Sequence, residues 1–299
     1  DVFEMGDGGS GTAELIARYY GALPVHVNIS GPSLKKIRAT YYCNVKRRIA
    51  FIDAAAGCGI HLLTTKERNP QQTTTLGVGQ LIRHAIIQKK CSLIFIGLGD
   101  TGTNDGGIGM LQALEWKFFT SGENLIPNKR SDLCVLSKAL PGIRDCKVIC
   151  LCDGNSTLCG RKGVSFSAGR QKGASSSVIR ILEEEMKAVN TLYQSISGAS
   201  YTVLPKSGSG GGLAAAIHMA FGATLINGPQ YIIRLFSLHK RFRDYDLIIV
   251  AEGQIDYQTA DGKSVIVVAQ EFKKYHIPVI AFTGRLGKGY QKVYHLGIT

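Results

Sequence analysis

The chain has 299 residues, 44% of them hydrophobic, and a formal net charge of +13. That length and apolar content suffice for a sizeable core and exclude an intrinsically disordered chain. The charge would attract nucleic acid, anionic lipid or phosphorylated metabolites alike, but the basic residues fall in short groups such as Lys46-Arg47-Arg48 and Lys240-Arg241-Arg243, with no basic tail, so no nucleic-acid partner is expected.

The chain starts at Asp1 without Met and runs at once into the glycine turn MGDGGSGT (Met5 to Thr12), followed by a helical pattern from Ala13 to Tyr20. RIAFIDAAA, SLIFIGLGD and KVICLCD are apolar runs suited to strands, and they alternate with helical patterns in LGVGQLIRHAII, GMLQALEWKFF and SSVIRILEEEMKAVNTLY. Leu213 to Ile226 is the longest apolar stretch. It is too short to span a bilayer and contains His218 and Gly222, so it reads as a core helix and no membrane partner is expected. In the last third, DLIIV (Asp246 to Val250), a helical pattern from Ser264 to Tyr275 and PVIAF (Pro278 to Phe282) give strand, helix, strand, which implies parallel pairing through a right-handed crossover. GYQKVYHLG reads as a further helix, and Thr299 falls where another strand is expected, so both ends read as incomplete. The fold class is therefore α/β, with a second α/β domain bounded near residues 20 and 235.

Eight cysteines in a chain this long and glycine-rich do not read as a disulfide scaffold, and a reducing, cytoplasmic compartment is expected. Cys146, Cys150, Cys152 and Cys159 lack the Cys-x-x-Cys pairs of structural zinc sites. Cys150 and Cys152 alternate within KVICLCD and are expected on a buried strand face.

Three segments share one design, a glycine turn bearing acids or hydroxyls that leads into a helix: MGDGGSGT, GLGDTGTNDGG (Gly97 to Gly107) and AEGQIDYQTADGK (Ala251 to Lys263). Such turns let backbone N–H groups approach an anion, and the following helix adds its dipole. Phosphoryl transfer further needs carboxylates for Mg²⁺, a cation and a group orienting the attacking hydroxyl; Asp7, Asp100, Asp105, Glu252 and Asp256, together with Lys263, supply those types. Asp and Asn beside Gly are also ordinary turn formers, so the argument rests on the set of three. GKS at the end of the third segment is no P-loop, because Tyr257 stands where the first Gly is required. Gly97, Gly99 and Gly102 satisfy G-x-G-x-x-G, the sole support for a dinucleotide-dependent oxidoreductase, but a helix and the loop-like TSGENLIPNKRSD follow where a second acid-ended strand is needed. PKSGSGGGLAAA reads equally as a ligand turn or as close helix packing, and Lys172 in GRQKGAS as a phosphate contact or a solvated side chain.

Taken together, MGDGGSGT, IDAAAGCGI, NPQQTTTLGVGQLI, GLGDTGTNDGGIGML, GRQKGAS, GSGGGLAAA and DLIIVAEGQIDYQTADGK, in this order, resemble the glycerate kinase family over nearly the whole chain. The resemblance implies a flavodoxin-like parallel α/β domain built from residues 1–20 and 236–299, a mixed α/β domain inserted over 21–235, and a site in the cleft between them. It implies ATP and Mg²⁺ as cofactors, D-glycerate as substrate with 2-phosphoglycerate favoured over 3-phosphoglycerate, and leaves a homodimer open. The positions carried over are Asp7, Gly8, Gly9, Thr103, Asn104, Asp105, Gly106, Gly107, Glu252, Gly253, Asp256, Thr259, Gly262 and Lys263. Asp105 or Asp256 is expected to orient the glycerate hydroxyl while the other helps hold Mg²⁺, and Lys263 to meet phosphate or carboxylate charge. The chain departs from the family pattern at Ser10 (Glu), Asp53 (Glu), Asp100 (Gly), Ser156 (Asn) and Gln254 (Arg), which admits a catalytically impaired homologue acting as a binding protein as the alternative.

Overall fold

A computed structural model describes all residues except 121–122, 125–132, 135, 241–244 and 258. Most of TSGENLIPNKRSD and of the basic group at 240–243 lie outside the described residues. Within them the strands are β1 (Leu23–Ser30), β2 (Lys36–Asn44), β3 (Ile49–Asp53), β4 (Leu93–Gly97), β5 (Lys117–Thr120), β6 (Glu123–Asn124), β7 (Lys138–Leu140), β8 (Lys147–Cys152), β9 (Thr224–Asn227), β10 (Ile248–Ile255) and β11 (Val279–Leu286). The α-helices are α1 (Thr12–Tyr20), α2 (Ala55–Cys58), α3 (Leu76–Ile87), α4 (Ile108–Ala113), α5 (Val164–Ala168), α6 (Ser176–Ser197), α7 (Leu213–Phe221), α8 (Gly228–Leu235), α9 (Ser264–Lys273) and α10 (Lys292–His295).

The main sheet has the order β1-β2-β3-β4-β8-β9. β1, β2 and β3 pair antiparallel, and β3, β4, β8 and β9 run parallel. The parallel strands read as unbroken apolar runs because both faces are covered. On one face α1 and α8 bury Ile16 and Ile232 against Phe51, Phe95 and Leu151, and the rings of Phe51 and Phe95 stack at 5.4 Å. The other face holds the larger core, in which Val78, Leu81, Met110, Leu111 and Ala216 meet Ile52, Ile94, Ile96 and Cys150. Cys150 and Cys152 are both buried, as the alternation within KVICLCD suggests.

A second, smaller core forms where the parallel pair β10-β11 packs on α9, with Val279, Ile266, Ala269 and Phe272 at its centre. β5, β6 and β7 form a separate antiparallel sheet. Residues 12–20 pack against β2, β3 and β4.

Two expected helices are shorter than their apolar patterns. GMLQALEWKFF is helical only as α4, because Glu115 turns into the left-handed region at φ 68° and Lys117 onward pairs as β5. Leu213 to Ile226 divides at Gly222, a left-handed C-cap at φ 61°, into α7 and the sheet-edge strand β9. A glycine just past a helix end is a common stop signal.

Candidate active site

The parallel strands β3, β4, β8 and β9 end at one edge of the sheet, where α/β folds place their ligands. MGDGGSGT lies across those ends. The Gly99 N–H donates to the Gly8 carbonyl at 2.7 Å, and the Gly8 N–H donates to the Thr12 hydroxyl at 3.0 Å. A Cβ on Gly8 would stand 2.6 Å from the Leu151 carbonyl, and one on Gly99 2.8 Å from Gly9 Cα, so the turn sits directly on the strand ends. The Asp7 carbonyl in turn lies against Gly228 at the start of α8.

This edge collects acids. Asp7 accepts from the Gly9 N–H at 2.7 Å, and Asp100 accepts from the Ser10 N–H at 2.9 Å. Asp7 and Asp100 are both exposed. Ser10 and Asp100 are two of the departures from the family pattern, and they meet: the charge lost at position 10 reappears on its hydrogen-bonded neighbour. Asp100 is left-handed at φ 57°, a conformation that Asp tolerates better than most residues other than Gly. Asp53, at the end of β3, receives the Gly11 and Ala13 N–H groups, both at 2.8 Å, and so caps α1. Burial pushes its carboxyl up to about 7 against the pull of those two donors, and the charges of Asp7 and Asp100 push the same way. Asp153, just past β8, is likewise raised, first by burial and then by Asp7.

The third glycine segment reaches this edge through its far end. The Asn227 side-chain amide donates to the Gly262 carbonyl at 3.5 Å, and a Cβ on Gly262 would lie 3.2 Å from the Asn155 amide nitrogen. Lys263 follows as the N-cap of α9, with no side-chain cap on that helix. At the near end, Asp256 accepts from the Gln254 amide at 2.7 Å and from the Thr259 N–H at 3.3 Å, while Thr259 is fully buried. Gln254, standing where the pattern has Arg, thus orients Asp256. Glu252 and Gly253 line a concavity of about 400 Å³ with Phe282 and Thr283.

The two candidate catalytic acids differ sharply in their surroundings. Asp105 is 3% exposed and accepts from the Thr75 N–H and hydroxyl, both at 2.8 Å, from Gly107 N–H at 3.1 Å, Gly109 N–H at 3.3 Å and the Thr74 hydroxyl at 3.5 Å. A buried carboxylate so surrounded ties α3 to the start of α4, and its lone pairs are taken up by the protein. Thr103, Asn104, Gly106 and Gly107 are buried with it. Asn104 donates to the Ser165 hydroxyl at 3.2 Å, and the Gly106 N–H donates to the Gly211 carbonyl at 3.0 Å. A Cβ on Gly211 would lie 2.0 Å from the Thr103 carbonyl oxygen, so GSGGG serves close packing here.

Hence the sheet edge gathers Asp7, Gly8, Gly9 and Asp100 with the Gly262-Lys263 turn, and leaves the TNDGG half of GLGDTGTNDGG underneath. Asp53, marked in the sequence only as a departure from the family pattern, and Asp153, which belongs to no motif, also stand at this edge. Lys172 is 6% exposed and donates to the Thr103 carbonyl at 2.6 Å and to the Thr101 hydroxyl at 3.3 Å. The signal for Asp53 and Asp153 was an acid immediately after an apolar strand. Among the described residues no group of three or more His, Cys, Asp or Glu is placed to hold a metal ion, and no helix is long and apolar enough to cross a membrane.

A family model, the glycerate kinase family, matches residues 1–299. The glycerate kinase of Halalkalibacterium halodurans is 35% identical over 99% of this chain and 79% of its own length. The glycerate 2-kinase of Escherichia coli K12 is 35% identical over 98% of this chain and 78% of its own length. A crystal structure of a candidate glycerate kinase 2 from Salmonella typhimurium LT2 superposes with a TM-score of 0.77 at 30% identity, covering 98% of this chain and 83% of that one.

Proposed function

The chain belongs to the glycerate kinase family, and from that membership we propose that it transfers a phosphoryl group from ATP to the 2-hydroxyl of D-glycerate, in the cytoplasm. The observation that carries the reading is the meeting, at one edge of a parallel sheet, of an acid-bearing glycine turn with a lysine-bearing turn that opens a helix.

The residues fit the implied cofactor. Mg²⁺ is commonly held by one or two carboxylates together with phosphate oxygens and water, and Asp7 and Asp100 are exposed acids on adjoining turns. Phosphate suits the start of α9, whose N-cap is Lys263 and whose first turn has no side-chain cap. When bound, ATP-Mg²⁺ supplies the transferable phosphoryl group and a metal charge that offsets its oxygens.

The chain's own residues do the rest. Asp256 accepts the proton of the attacking hydroxyl, held in place by Gln254 and the Thr259 N–H. Lys263 lies near the transferred charge and offsets it. Asp53 fixes the start of α1 and with it the Asp7 turn, and Asp105 anchors the loop beneath. The two hydrophobic cores, one around the main sheet and one around β10-β11, support a two-domain division with the site between them.

A coupled assay with ATP, Mg²⁺ and D-glycerate tests this, with phosphorus NMR reading whether the 2- or 3-phosphate forms. Calorimetric binding of either substrate without turnover would favour the impaired homologue acting as a binding protein, and neither turnover nor binding would leave both readings without support.

A further inference from the structure

Among the described lysines and arginines of this strongly basic chain, Lys172 alone is buried. Placing an ammonium group inside a protein costs several kcal/mol unless it is matched by hydrogen bonds and opposite charge. Both are present. Its Nζ donates to the Thr103 carbonyl at 2.6 Å and to the Thr101 hydroxyl at 3.3 Å, so it grips the segment that runs from Asp100 at the sheet edge to Asp105 below. Its charge is felt at Asp153, which also feels Asp7 and Asp100. Lys172 itself is held by the turn after α5: a Cβ on Gly173, at φ 96°, would lie 2.2 Å from the Arg68 carbonyl oxygen.

We propose that Lys172 is a positioning residue for phosphoryl transfer, clamping the Thr101–Thr103 backbone that runs from Asp100 at the sheet edge to Asp105 beneath it. It acts through that segment, and the inference rests on the kinase reading above. A solvated lysine at the same place in the sequence would not hold it. The clamp sets where Asp100 stands, and displacement of a site group by about 1 Å can cost on the order of 100-fold in rate.

The experiment compares the parent with Lys172→Met, which keeps an unbranched side chain out to Cε and removes the charge and the donors, and with Lys172→Arg. The expected result is a kcat lower by about 10- to 100-fold in Lys172→Met, with a cooperative melt and a KM for ATP close to the parent value, and partial recovery of kcat in Lys172→Arg. A purely structural lysine would lower the active fraction and the melting temperature together, with no recovery of kcat per folded molecule. If Lys172→Met does not fold, Thr101→Val removes one partner of the clamp and should lower kcat severalfold. Parental kcat in Lys172→Met, or in Thr101→Val where that variant is needed, overturns the inference while leaving the kinase reading intact. A parent chain inactive with ATP and D-glycerate takes both down.

Discussion

Replacing Asp105 with Asn separates an anchoring acid from a catalytic one. The amide retains one acceptor, and its best orientation puts the oxygen at the Oδ2 position, where it keeps the Thr75 and Gly109 N–H groups and the Thr75 hydroxyl. The amide nitrogen then faces the Gly107 N–H, which loses its acceptor. A buried donor without a partner costs about 1–3 kcal/mol, and changing the surviving bonds from charged to neutral acceptors costs about 0.5–1 kcal/mol apiece. With three surviving bonds the sum is about 2.5–6 kcal/mol, a large part of the ~5–15 kcal/mol that holds a typical domain. Trp116, the sole Trp of the chain, is buried just beyond α4, and its fluorescence follows this region through a urea titration. The expected outcome is a large fall in unfolding free energy, with kcat per folded molecule reduced by no more than about 100-fold, the scale of an indirect displacement. An Asp105→Asn protein as stable as the parent but without turnover would refute the argument and return Asp105 to the chemistry.

Asp256→Asn should behave the opposite way, losing about 10²- to 10⁴-fold in kcat as a general base does, with a melting temperature near that of the parent; equal turnover would remove Asp256 from its role. Asp53 has a folded-state carboxyl at about 7 against an ordinary 3.8, so the folded protein binds the extra proton between those values, and stability falls as pH rises through that window. Asp53→Asn should flatten that part of the stability profile, by at most about 4 kcal/mol at 1.36 kcal/mol per pH unit, and parallel profiles for parent and variant would contradict it. Gly211→Ala, with φ at 71° and a Cβ that would stand 2.0 Å from the Thr103 carbonyl, should abolish soluble expression or lower stability by more than about 3 kcal/mol; a thermal melt matching the parent would show that the loop gives way.

Much of this was legible in the residues. β3, β4 and β8 lie where unbroken apolar runs are bounded by glycine or an acid, because strands covered on both faces need no alternation; β10 and β11 carry similar apolar runs although every second residue of each is exposed or only half-buried. β1 and β2 carried no such signal: LPVHVNIS and KIRATYYCN are largely half-exposed, and it is their mutual pairing, eight residues long, that holds them extended. β9 was hidden because TLIN continues the apolar run of α7, and only the conformation of Gly222 separates the two. At the site, acids next to glycine could be found because turn chemistry is local. What distinguished Asp100 from Asp105 was not local, since the donors that saturate Asp105 include Thr74 and Thr75, about 30 residues earlier in the chain. The same holds for Lys172, whose partners precede it by 71 and 69 residues.

The seating of MGDGGSGT on the strand ends has a consequence for how this protein can vary over evolutionary time. Gly8 faces Leu151, Gly97 faces Gly8, Gly99 faces Gly9 and Gly228 faces Asp7, in each case with main-chain atoms within 3 Å of where a side chain would begin. No single substitution at these positions can be absorbed by a neighbouring side chain turning aside, because backbone is all there is to move. Gly154, just past the end of β8, has open space around it. A map of tolerated mutations should therefore show an island of invariance, sharp at its shore, made of residues far apart in the chain, with a freely drifting glycine just outside it.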